Sequence, residues 1–140
     1  MKNRSNFLAI ALTIALAFDV GLHLRSPLPV QAQITQPPFT TLSAVTTGTG
    51  TAISFHDCRQ VSWSTTYPGT APTTGTVLIE QSPDASFAGT WNQLASIDCS
   101  QLSAGTDGYG TYPGQTGFVR ARFTANADQP ITVELNGLRP

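Results

Sequence analysis

From residue 39 onward, Gly, Pro and paired Thr interrupt the chain every eight to twelve residues, and no stretch between them carries a helical repeat. What lies between the cuts alternates instead. Gln60-Val61-Ser62-Trp63-Ser64 sets Val61 and Trp63 on one side. Gly117 to Thr124 sets Val119, Ala121 and Phe123 against Arg120 and Arg122, and Ile131, Val133 and Leu135 alternate with Thr132 and Glu134. Val77 to Glu80 and Leu94 to Ile97 are shorter runs of the same kind, with weaker ones at 39–45 and 52–55. A period of two marks a strand with one face buried. Two unpaired arginines in a core would each cost several kcal/mol, more than burying a Val or Phe returns, so they fix the register of 117–124 as firmly as its apolar residues do. The expected fold class is all-β: a single antiparallel β-sandwich, jelly-roll or immunoglobulin-like, of about seven to eight short strands.

Composition narrows the function classes. Charged residues make up 11% of the chain, against roughly 25% in an average soluble domain. That scarcity excludes a charged coiled coil, and the 40% apolar content excludes a solvated disordered chain. The net charge of −1 leaves no basic excess to neutralise phosphates, so no nucleic-acid partner is expected. At 140 residues there is room for one domain and none for separate cofactor and substrate domains.

Residues 1–32 read as a signal peptide. Lys2 and Arg4 precede an apolar run from Phe7 to Phe18, and Val30-Gln31-Ala32 places small or slim residues where a signal peptidase cuts. Twelve apolar residues make a helix of roughly 18 Å, short of the ~30 Å hydrocarbon core, so no stable membrane insertion is expected after cleavage. The expected location is secreted or periplasmic. The expected organisation is a signal peptide at 1–32, an N-terminal leader at 33–44 and a β-sandwich domain at 45–140. After residue 32 the chain keeps four arginines, no lysine and seven acids, a net charge of −3. Its two cysteines, Cys58 and Cys99, form an even pair in an exported chain and are expected as a disulfide. Closing a loop of about 42 residues would contribute roughly 4 kcal/mol in the chain-entropy picture. Two Cys and one His fall short of a zinc ligand set without two carboxylates, so neither metal nor cofactor is expected.

Two stretches read as long connections, Tyr67 to Pro72 and the Gly-rich Ser100 to Gln115. A sixteen-residue loop in so small a domain is functional or disordered.

The order of the segments resembles small β-sandwich modules of phage and prophage virion proteins, such as tail, fibre and decoration modules. The residues that carry the resemblance are Cys58-Arg59-Gln60-Val61-Ser62-Trp63, then Gly75 to Ser82, Gly89-Thr90-Trp91, a Gly/Thr/Tyr-rich loop, Gly117 to Arg122, and Ile131-Thr132-Val133. It spans roughly residues 45–137. The resemblance implies a sandwich fold and a structural role, and it implies no catalytic residues.

His56, beside Asp57, has no Gly-x-Ser-x-Gly elbow to serve and reads as part of a polar turn. Glu80 and Glu134 could be a glycosidase pair in principle. The alternation points instead to a cross-strand pair between Glu134 and Arg120 or Arg122, should their strands be neighbours. Asp84, Asp98 and Asp107 lie in loops without the dense oxygen cluster calcium needs. Trp63 reads as core. Trp91 reads as core or rim, and Tyr67, Tyr109 and Tyr112 as loop residues. The tyrosines either fold their own loops down or meet a protein or a sugar ring. The expected function is therefore non-catalytic: a structural or adhesive binding module at the cell exterior, meeting an unknown protein or glycan at the cell surface. The alternative is a small carbohydrate-binding domain using Tyr109, Tyr112, Trp91 and Tyr67.

Overall fold

A computed structural model describes residues 36–104 and 108–140. The signal peptide expected at 1–32, the first residues of the leader and Asp107 lie outside the described residues. Among the described residues the chain forms eight strands: β1 (Phe39–Val45), β2 (Ile53–Ser54), β3 (Gln60–Thr66), β4 (Thr76–Ser82), β5 (Asn92–Asp98), β6 (Tyr109–Pro113), β7 (Phe118–Ala125) and β8 (Ile131–Leu138). One short 3-10 helix, η1 (Cys99–Ala104), links β5 to β6.

The strands make two four-stranded sheets, β1-β8-β3-β6 and β2-β7-β4-β5, every pair antiparallel. The chain changes sheet at every connection except β4 to β5. This eight-stranded order is that of a jelly roll, and it decides between the two sandwich types expected from the sequence. β1 brings residues 39–44 into the sandwich, ahead of the expected domain start at 45.

Alternation explains the core. Val61 and Trp63 of β3, Val77 and Ile79 of β4, Val119, Ala121 and Phe123 of β7, and Ile131, Val133 and Leu135 of β8 are all buried between the sheets. β1 departs from strict alternation, with register shifts on either side of Leu42 that let the adjacent Thr41 and Leu42 both be buried. Thr41 uses that freedom to stitch the sheets together. Its hydroxyl donates to the Thr51 carbonyl at 2.8 Å and accepts from the Ala121 N–H of β7 at 3.2 Å. On the side where η1 crosses between sheets, Leu102 fills the core.

Three expectations need correction. The stretch 100–115 is not a plain loop. It holds η1 and β6, and β6 pairs along its length with β3, from Gln60 opposite Pro113 to Ser64 opposite Tyr109. Gly110 is what permits this pairing, because a Cβ there would meet the Trp63 indole directly. Gly and Pro are depleted in strands, and β6 holds Gly110 and ends at Pro113, so the sequence pattern missed it.

The Cys58–Cys99 disulfide is absent, and both cysteines are free and buried. Cys58 lies against Gly137, at the end of the sandwich where β7 begins. The Cys99 N–H bonds the Gly75 carbonyl, at the end where β7 finishes. Eight residues of strand span roughly 25 Å, far beyond the ~7 Å Cα separation a disulfide tolerates.

Finally, Glu134 does not pair with the arginines. It lies on β8 opposite Ser64, whereas β7 belongs to the other sheet. Antiparallel register instead sets Glu80 opposite Arg120.

Candidate functional site

Three surface regions bring chemistry-bearing side chains together. The first is the outer face of the β2-β7-β4-β5 sheet. Glu80 lies on β4 between the arginines of β7, and its 2% exposure is exceptional for a carboxylate on an outward face. Arg120 donates through Nε and Nη2 to Oε1, at 2.9 and 2.7 Å. Arg122 forks, with Nε to Oε1 at 2.9 Å and Nη2 to Oε2 at 3.0 Å. The Arg120 guanidinium also sits 3.8 Å from the centre of the Trp91 ring. Trp91 is itself buried and anchored by its indole N–H, which donates to the Phe87 carbonyl at 3.0 Å.

Burial pushes the Glu80 carboxyl up, but hydrogen bonds from Arg122 and Arg120, and their charges, outweigh it and hold the group below the ordinary carboxylate range. Both of its oxygens accept from the guanidiniums, which hold the carboxylate ionised and fixed in place. The alternation of β7 is as expected, Val119, Ala121 and Phe123 inside and the arginines outside. That outside is a packed ionic cluster rather than a wet face.

The second region is the outer side of the β1-β8-β3-β6 sheet near β6. A hollow of about 110 Å³ is lined by Ser62, Ser64, Glu134, Asn136, Pro38 and Tyr109 among others. Tyr109 is 70% exposed. Tyr109, Tyr112, Tyr67 and Trp91 do not converge. Tyr112 is half-buried on the same strand, three residues from Tyr109 and thus on the opposite face. Tyr67 is half-buried and, like Tyr112, packs against the core. Trp91 belongs to the arginine cluster on the other sheet.

The third is an open cleft of about 500 Å³ at the end of the sandwich where β3 begins, which His56, Arg59 and Arg139 line. His56 and Asp57 form the turn expected of them, closed by the Cys58 N–H to the Phe55 carbonyl at 3.0 Å. The His56 ring stands edge-on to Phe118, with ring centroids 5.2 Å apart.

The loop aspartates tie down backbone, Asp84 and Asp98 within their own turns and Asp128 across to another loop. Asp84 accepts from the Ser86 N–H and hydroxyl, and Asp98 does the same for Ser100 at the start of η1. Asp128 accepts from the Thr73 hydroxyl and from the N–H groups of Thr73 and Thr74, which bring its carboxyl down to about 2. Among the described residues, no group of three or more His, Cys, Asp or Glu is placed to hold a metal ion.

No family model matches the chain, and no curated protein matches it. Solved structures do. The chain is similar to SPBc2 prophage-derived protein YomS, with a TM-score of 0.59 and 11% identity over 79% of this chain and 98% of that one. A weaker likeness, at TM-score 0.48 and 14% identity, is to the capsid of Helicobacter pylori bacteriophage KHP30, over 78% of this chain and 92% of that one. The likeness to the prophage protein is one of fold, and at that level it agrees with the resemblance the sequence carries to phage and prophage modules.

Proposed function

We propose that the chain is an exported, non-catalytic jelly roll that serves as a structural or adhesive module at the cell exterior, touching its neighbour through Tyr109. The observation that carries this reading is the 70% exposure of Tyr109. A tyrosine on a strand is an amphipathic contact group with few torsions to freeze, and here it stands beside a hollow lined with hydroxyl, amide and carboxylate groups. The non-catalytic part is supported by the carboxylates already engaged within the fold: Glu80 by two arginines, Asp84 and Asp98 by their own turns, and Asp128 by Thr73 and Thr74. Jelly rolls serve both capsids and lectins, so the fold alone selects neither role. The carbohydrate reading needs a platform of several exposed aromatics, and of its four residues Tyr109 alone is exposed.

Fractionation and crosslinking in the producing cells test the proposal. The protein is expected outside the cytoplasm, with a photo-crosslinker at position 109 trapping a neighbouring macromolecule and one at the exposed Thr124 of the other sheet trapping none. Retention in the cytoplasm, or equal capture at both positions, would contradict it.

A further inference from the structure

The four arginines after residue 32 divide into two pairs. Arg120 and Arg122 share the Glu80 carboxylate. Arg59 and Arg139 have no such partner: among the described residues neither has a carboxylate oxygen within 4.0 Å. Both line the open cleft of about 500 Å³, together with His56, Asp57 and Gln115. This cleft lies at the opposite end of β3 from Ser64 and its partner Tyr109, so it is separate from the contact surface proposed above.

Several of its groups are held in position. The Arg59 N–H donates to the Leu138 carbonyl and its own carbonyl accepts from the Gly114 N–H, both at 2.9 Å, while the side chain projects into solvent. Arg139 is aimed by Gln36. With its amide oxygen turned toward the guanidinium, Gln36 accepts from Nη2 at 2.5 Å and from Nε at 3.3 Å. A neutral amide orients the guanidinium without cancelling its charge, where a carboxylate would do both. The Cys58 thiol below does not supply the missing anion, since burial pushes it up and the nearby Arg139 only partly offsets this. The His56 ring is fixed by Phe118.

We propose that this cleft binds an oxyanion, a carboxylate or phosphate group, gripped between Arg59 and Arg139 with His56 and Gln115 at its edge. Guanidinium forks match the paired oxygens of either group. Asp57 on the rim works against multiply charged ligands.

The test is a titration of the 15N-labelled full chain, followed by amide chemical shifts, with glucuronate, with inorganic phosphate and with glucose as the uncharged control. Saturable shifts confined to residues 56–59, Gln115 and Arg139 are expected with at least one anion and none with glucose, and the tighter anion identifies the source of the group. Arg59→Gln removes an exposed side chain, so the melting temperature should hold while affinity falls about tenfold or more. Arg139→Gln should weaken binding similarly. Shifts that never saturate, that scatter over the surface, that appear equally with glucose, or that persist unchanged in Arg59→Gln would overturn the proposal.

Discussion

Glu80 is the residue whose environment departs furthest from what its strand pattern implies. An outward carboxylate should be solvated, yet this one is sealed under two guanidiniums and their neighbours. Either arginine alone can still satisfy Oε1. Arg120 and Arg122 remain 22% and 36% exposed, so each ion pair is partly screened. We therefore expect Arg120→Ala and Arg122→Ala to cost about 1–2 kcal/mol each, Arg120 more because it also loses Trp91. The double variant strands a buried carboxylate and should cost about 3–5 kcal/mol, more than the sum of the singles. Urea unfolding of the four proteins checks this, and strict additivity would refute the shared-carboxylate account. The cysteines give a second prediction at this scale. Denatured without reductant, the protein should titrate two thiols. Native, both should react slowly, since both are buried and burial, with the charges of Asp98 and Asp128, pushes the Cys99 thiol up to about 11. No titratable thiol after denaturation would restore the disulfide.

Among elements, β3, β7 and β8 were plainly legible because each alternates cleanly over at least five residues. β6 was not, because its Gly110 and Gly-rich flanks read as loop, and the reason for that glycine lies across the ladder in Trp63. Gly110→Ala should therefore cost about 1–3 kcal/mol by overpacking, with the loss concentrated in β6. Hydrogen exchange would show it: β6 amides should exchange faster than those of β4, whereas uniform acceleration across both sheets would place the effect elsewhere. The arginine cluster was half legible. The spacing of Arg120 and Arg122 put both on one face, but nothing local told which sheet β7 joins, so Glu134 was as good a partner as Glu80 until the jelly-roll order separated them. The disulfide expectation failed for the same reason: cysteine count carries no information about which end of a sandwich each residue occupies.

At the scale of the molecule, the sheet edges carry devices that discourage open-ended pairing. β1 is twice shifted in register, β2 has two residues, β5 is bulged opposite Ile79 and Glu80, and β6 ends at Pro113. In the function proposed above, contact with a neighbour is then left to side-chain surfaces such as that of Tyr109. Acid should loosen the fold in a defined direction. Glu80, Asp84 and Asp128 all titrate below their ordinary values in the folded chain, so their stabilisation is complete above the ordinary carboxylate range, ~3.9–4.3, and is lost as pH falls through the folded values, for Asp128 about 2. Urea midpoints should hold from pH 7 to about 5 and fall below that, with a smaller fall in Glu80→Gln. A midpoint that rises on acidification would contradict these assignments.

The exterior-module account rests most heavily on Tyr109, and Tyr109→Ser tests it directly. In the producing cells the variant should be exported and should melt as the parent does, because the ring packs on little of its own chain. It should also be released from the exterior assembly into the free fraction. A variant that stays bound as firmly as the parent would show that the contact lies elsewhere and that the account is wrong.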